Sequence, residues 1–263
     1  SKGNTATGRL AAYNPNMANQ PKKTRVLYVP DDPGHCFIQE DYKSAELYVQ
    51  AHSSGDRLLL GDLAGDIHRI NSDRLGIIRD TAKNVTYASQ YLATPSKQSE
   101  MILRQAHVYV SPGDCFRISE GIWGRYEKVK TYREHLIMLC KTKKYIKNAF
   151  GRIRFFHANE APAAVNYIPQ STVADVLLCV LKPVAEMARR YGGRIYTTVY
   201  DSILIAVPFE VRMQAAAEMK TIMEKRFDNV APGFYLPVEV EMAGAGEPWS
   251  AVKKCKLEAA CST

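Results

Sequence analysis

The sequence predicts an α+β fold, in which an antiparallel sheet is interleaved with helices. Three observations carry this. Arg194 to Val199 and Ser202 to Val207 are apolar, β-branched runs with Tyr200-Asp201 between them, the clearest hairpin signal in the chain. Cys36 to Asp41 and Leu236 to Met242 are further short strand candidates. Between these lie segments with apolar residues at helical spacing, such as Leu75, Ile78, Ala82 and Val85.

In chain order, residues 1–34 are rich in Gly, Asn, Pro and Lys and read as an extended, loop-heavy entry. The strand at Cys36–Asp41 ends on two acids, Glu40 and Asp41. A helix is expected from Ser44 to His52, broken by Ser53-Ser54-Gly55-Asp56. A second runs from Asp73 to Ala93, closed by Pro95. Residues 99–108 are expected to be helical, and Pro112-Gly113-Asp114 to form a turn. A long basic helix is expected over Tyr126–Ala149, ended by Gly151. Pro169 precedes a helix over Ser171–Tyr191, which Gly192-Gly193 terminates. The hairpin, a helix from Phe209 to Phe227 and the strand at Leu236–Met242 complete the chain, which carries no repeats or low-complexity tracts.

Apolar residues make up 46% of the 263, and charged residues 24%, ordinary for a chain that buries a real core. The net charge is +8 and the pI about 9.1, a balance that favours a phosphate-bearing partner. Cysteines stand at 36, 115, 140, 179, 255 and 261, without the spacing that holds zinc, and read as reduced, mostly buried thiols of a cytosol-like compartment. No apolar stretch approaches the length of a membrane span. The chain opens on Ser1 in a polar stretch, as expected of a piece of a longer polypeptide or a processed product.

Two constellations suggest chemistry. Asp41 ends one strand and Asp201 sits at a hairpin tip, so only folding can unite them. Two strand-end acids that converge can hold two metal ions about 4 Å apart for in-line phosphoryl displacement, and magnesium needs only one or two carboxylates beside substrate phosphates. Strand-end aspartates also serve as turn formers and helix caps, and the pair alone leaves both readings open. Arg79, Lys83, Tyr87 and Tyr91 recur every four residues, which stacks them on one helix face. Two cations suit a triphosphate and two rings suit a sugar and a base, with His68 a further phosphate donor. The alternative is a solvated basic edge with two half-buried tyrosines.

In this order, six segments resemble the motifs of the DNA polymerase I-like family A polymerases. Thr7-Gly8-Arg9-Leu10 with Pro15-Asn16-Met17-Ala18-Asn19-Gln20-Pro21 resembles the family's opening palm segment; Asp41-Tyr42-Lys43-Ser44-Ala45-Glu46-Leu47 its motif A; Arg79 to Tyr91 its motif B. Phe150-Gly151-Arg152-Ile153-Arg154 resembles the FGRRR segment, Asn166 to Asp175 the NxPxQGTAAD helix, and Val199-Tyr200-Asp201 motif C. The resemblance runs from Thr7 to Trp249. It implies a right-hand polymerase core: palm over residues 1–60 and 151–263, helical fingers over 61–150, and no visible thumb.

The resemblance also implies roles. Asp41 and Asp201 would be the catalytic, metal-bridging carboxylates for two Mg²⁺ ions, with Mn²⁺ as a substitute, and the Tyr42 carbonyl would complete a metal shell. Glu46 would be the steric gate against a ribose 2′-hydroxyl. His68, Arg79 and Lys83 would grip the nucleotide's phosphates, and Lys83 would also protonate the leaving pyrophosphate. Tyr87 would meet the sugar and Tyr91 would stack near the templating base. Arg9, Asn166 and Gln170 would reach the minor groove of primer–template DNA, where acceptors are shared by all correct pairs. The expected partners are primer–template DNA and dNTPs, together with a thumb or exonuclease region upstream or a processivity partner, and no membrane. The expected compartment is the cytoplasm, the host's if the chain is phage-encoded. A single-subunit RNA polymerase and a catalytically weakened primer–template binding module are the alternatives.

The sequence departs from the family pattern at several points. Tyr87 and the short interval from His68 to Arg79 resemble phage polymerases of the T7 type. Tyr200 and Ser202 replace a common His and Glu in motif C, Ala88 and Leu92 replace two glycines of motif B, and Pro162 replaces an Arg that would touch the minor groove.

Overall fold

The computed structural model describes residues 5–12, 16–17 and 20–257. The chain divides into two compact units, Ser1–Ala45 with Ser171–Thr263, and Glu46–Gln170. These divisions fall at 45 and 170, against the expected 60 and 150.

The first unit is built on a five-stranded antiparallel sheet of order β4-β5-β1-β6-β7. Its strands are β1 (His35–Tyr42), β4 (Arg194–Val199), β5 (Ser202–Pro208), β6 (Val238–Met242) and β7 (Lys253–Lys254). Central β1 pairs with β5 from His35↔Pro208 to Asp41↔Ser202, and with β6 from Ile38↔Met242 to Tyr42↔Val238. Alternation along β1 gives the sheet two faces. Ile38, Glu40 and Tyr42 share one, and the Tyr42 hydroxyl donates to the Met223 carbonyl of α9 (Arg212–Met223) at 3.0 Å. Phe37, Gln39 and Asp41 share the other. There Phe37 packs with Val199, Leu204, Ala206, Ala243 and Trp249, and the Trp249 indole donates to Gln39 Oε1 at 2.6 Å.

The second unit is helical, with α1 (Ala45–Ser54), α2 (Arg57–Ala64), α3 (Ile67–Leu75), α4 (Arg79–Ser89), α5 (Pro95–Ala106), α6 (Pro112–Trp123) and α7 (Glu127–Thr142), then a short hairpin of β2 (Tyr145–Lys147) and β3 (Ile153–Phe155). α8 (Ala161–Arg190) begins in this unit. Leu47, Leu59, Leu63, Val85, Ile118, Ile122 and Trp123 belong to one apolar core. Side-chain oxygens of Asp56, Asp66, Thr94 and Ser111 cap the N-termini of α2, α3, α5 and α6.

Several sequence expectations need correction. The single helix over 73–93 is two helices, because Gly76 adopts a left-handed conformation (φ 64) that stops α3. Pro95 does not close a helix; it opens α5 behind the Thr94 cap, where its missing N–H has no intrahelical acceptor. Pro112-Gly113-Asp114 is likewise the first turn of α6. The basic helix stops at Thr142 and gives way to β2. α8 starts ten residues earlier than expected and takes both Pro162 and Pro169 into it. The entry segment contains a 3-10 helix at Lys22–Leu27.

Candidate active site

On β1 the register places Asp41 directly opposite Ser202, and the Tyr42 N–H reaches the Asp201 carbonyl at 3.5 Å. Asp201, in the β4–β5 turn, therefore lies beside Asp41 at the end of β1, although the two are remote in sequence. Asp201 follows Tyr200, whose positive φ of 55 forms the hairpin tip. The Ser202 hydroxyl folds back to the Val199 carbonyl at 3.0 Å and closes this turn. Burial, then the charges of Asp201, Glu241 and Glu239, raises the Asp41 carboxyl to about 7. Burial likewise raises Asp201, against the opposing pull of Arg9. Such a pair of mutually repelling, poorly solvated oxygens is stabilised by a divalent cation. The oxygen-only donors fit magnesium's preference for one or two carboxylates. Among the described residues no group of three or more His, Cys, Asp or Glu is placed to hold a metal ion.

Two acids near Asp41 were not singled out from the sequence. Glu239 on β6 pairs directly with Asp41, and Glu241 with Gln39, so both lie on the Asp41 face of the sheet. Alternation in Val238-Glu239-Val240-Glu241 carried that signal. Glu239 is ion-paired to Lys254 at 2.6 Å. Tyr42 is fully buried, its ring held by the α9 contact. Glu40, on the opposite face, is also fully buried, and neither carboxyl oxygen has a hydrogen-bond partner among the described residues. Burial raises it to about 9.

In the helical unit, α4 buries Ala82, Val85, Thr86, Ala88 and Ser89 and turns Lys83 and Tyr87 to solvent. Arg79 at its first turn pairs with Asp66 Oδ2 at 2.8 Å. His68 on α3 is buried, with its ring centroid 5.4 Å from that of Tyr87. Burial lowers the imidazole to about 4, with Arg79 and Lys83 adding to the shift against Asp66, so it is neutral near pH 7. Arg79, Lys83, Tyr87 and His68 thus form one cluster. Tyr91 departs from the expected arrangement: α4 ends at Ser89, and Tyr91 lies beyond it in a turn, its hydroxyl accepting from Gln90 Nε2 at 3.2 Å. Glu46 lies in the first turn of α1.

Arg9 follows Gly8, whose φ of 79 and hydrogen bond to Thr5 make a tight turn. Asn166 and Gln170 stand four residues apart on α8, which puts them on one helix face, and the Asn166 Oδ1 is buried without a partner among the described residues. Of the opening motif, residues 15, 18 and 19 lie outside the described residues, as does Cys261. Cys36, Cys115 and Cys140 are buried, whereas Cys179 is exposed.

The profile of DNA polymerase family A matches residues 1–251. The chain belongs to DNA polymerase family A. Relatives include the thermostable DNA polymerase I of Thermus thermophilus, 26% identical over 95% of this chain and 32% of the relative, and DNA polymerase I of Deinococcus radiodurans, 26% identical over 93% and 27%. DNA polymerase theta of Caenorhabditis elegans is 25% identical over 95% of this chain and 16% of its own length. This family A chain therefore spans about a third or less of those relatives. Its fold is that of the POL domain of Pol1 from M. smegmatis, solved with DNA primer-template and dNTP: the TM-score is 0.76 at 22% identity, over 94% of this chain and 47% of that one. No described helix of the family A chain is long and apolar enough to cross a membrane.

Proposed function

We propose that this chain is the catalytic core of a template-directed DNA polymerase, which joins dNTPs to a primer 3′-hydroxyl with release of pyrophosphate. The observation that carries this reading is the side-by-side placement of Asp41 and Asp201 on β1 and the β4–β5 hairpin. Those carboxylates are the residues that would hold two Mg²⁺ or Mn²⁺ ions, with the Tyr42 carbonyl as a further ligand. Divalent ions bound there would lower the pKa of the primer hydroxyl and stabilise the departing pyrophosphate.

The chain's own groups do the rest. Arg79 and Lys83 neutralise the triphosphate, the neutral His68 ring donates an N–H to it, and positioning of this kind supplies much of the rate in phosphoryl transfer. Lys83 delivers a proton to the leaving pyrophosphate. Glu46 excludes a ribose 2′-hydroxyl. Tyr87 and Tyr91 face the incoming nucleotide and the template base. Arg9, Asn166 and Gln170 read the minor groove of primer–template DNA. A thumb, an exonuclease region or a processivity factor would assist from elsewhere, and the cytoplasm is the expected compartment.

Primer extension with dNTPs and Mg²⁺ on a defined template tests this: the product should follow the template base by base. Salt-sensitive DNA binding without extension under either metal would favour the weakened binding module, for which Ser202 in place of an acid is the supporting feature. Glu46→Ala should raise rNTP incorporation at least about tenfold; unchanged sugar discrimination would remove Glu46 from the gate. Tyr87→Phe should reduce use of dideoxynucleotides, the T7-like trait, and equal use by both forms would count against that contact.

A further inference from the structure

The helical unit contains a cavity of about 340 Å³ bordered by α4, α5, α6 and α7. Leu92, Pro95, Phe116 and Trp123 give it apolar walls. One wall residue is Arg133 of α7, only 6% exposed. Its guanidinium stacks 3.7 Å from the Trp123 ring centroid and donates through Nη2 to Gln50 Oε1 at 2.9 Å. Its Nε is buried with no hydrogen-bond partner among the described residues. A buried cation without a counter-charge is strongly unfavourable unless something compensates it. Glu120 and Glu134 border the cavity but are exposed, and among the described residues no carboxylate is ion-paired to Arg133; burial pulls its guanidinium below the ordinary range.

The other polar groups around the cavity are committed. Trp123 Nε1 donates to Ser89 Oγ at 2.8 Å, Ser119 Oγ to Gln98 Oε1 at 2.8 Å, and Gln98 Nε2 to the Ala93 carbonyl at 2.7 Å. Arg133 is the buried cation of this wall, and Lys130, exposed on the same helix, adds a second one. We propose that this cavity binds a small aromatic anion, its apolar body against Leu92, Phe116 and Trp123 and its carboxylate- or sulfonate-like group on Arg133. The occupant would touch Ser89 and Leu92, at and just past the end of α4, the helix that bears Arg79, Lys83 and Tyr87.

Fluorescence titration of the intact chain with 8-anilinonaphthalene-1-sulfonate, beside its uncharged counterpart N-phenyl-1-naphthylamine, tests the site. The sulfonate should bind at least about tenfold more tightly, Arg133→Met should abolish that preference, and Ala93→Trp, at the half-buried edge of the cavity, should weaken both dyes. Equal affinity of the two dyes for the unmodified chain, or sulfonate binding unchanged in both variants, overturns the proposal. If circular dichroism shows Arg133→Met unfolded, Ala93→Trp decides: tenfold weaker sulfonate binding supports the site and unchanged binding rejects it. Neither DNA nor dNTP is present, so the outcome is independent of the polymerase reading.

Discussion

Buried without a hydrogen-bonding partner, the carboxyl of Glu40 keeps its proton far above the ordinary carboxylate range, to about 9. The folded state then holds that proton more tightly than the unfolded chain does. Its contribution to stability is complete below the ordinary value of 4.5 and is lost as pH rises toward about 9. Urea unfolding should therefore show stability falling between about pH 5 and about pH 9 in the unmodified chain. Glu40→Leu should flatten that fall and stabilise the protein at about pH 8 by about 1–3 kcal/mol; a variant less stable than the parent there would contradict the account. His68 provides a contrasting case. Held neutral by burial to about 4, it would offer a bound nucleotide an N–H without a charge, on the proposed function. Nucleotide affinity should accordingly show no His68-dependent step near pH 6.5, checked by comparing the pH profiles of the parent and His68→Gln.

The elements that position these groups depend on a few close approaches. At Gly193, which leads into the β4–β5 hairpin, an added Cβ would lie 2.0 Å from the Ala206 carbonyl oxygen. Gly193→Ala should destabilise the fold by about 1–3 kcal/mol, read as a lowered urea midpoint. In the helical unit, Asp62 accepts from the Tyr126 hydroxyl at 2.9 Å and from Arg125 Nε at 2.8 Å. Tyr126→Phe should cost about 1–2 kcal/mol, because the buried carboxylate loses a donor. The hairpin was legible in the sequence because β-branched runs meet at a polar tip behind Gly192-Gly193. The break between α3 and α4 was not, because apolar spacing continues smoothly past Gly76 and only its backbone conformation stops the helix. Proline has more than one role here. Pro95, expected to close a helix, and Pro112, expected in a turn, each open one, because the preceding Thr94 and Ser111 supply a cap. Asp41 and Asp201 were legible as candidates; alternation put Glu239 and Glu241 on one face of their strand, but only the β1–β6 register brings Glu239 opposite Asp41.

At the scale of the whole molecule, membership in DNA polymerase family A rests on a match across residues 1–251, and the net charge of +8 agrees with a polyanionic partner. DNA binding should weaken at least about tenfold between about 50 and about 200 mM salt, because Lys and Arg contacts to phosphates release counterions; fluorescence anisotropy with a labelled primer–template measures this. The central claim is that the two neighbouring aspartates make the sheet a metal-dependent nucleotidyl-transfer centre. The most direct measurement is the rate of Mg²⁺-dependent primer extension by the parent, Asp41→Ala and Asp201→Ala, with circular dichroism confirming that each is folded. Each substitution should reduce the rate by about a thousandfold or more; extension at the parental rate by either folded variant would contradict the claim.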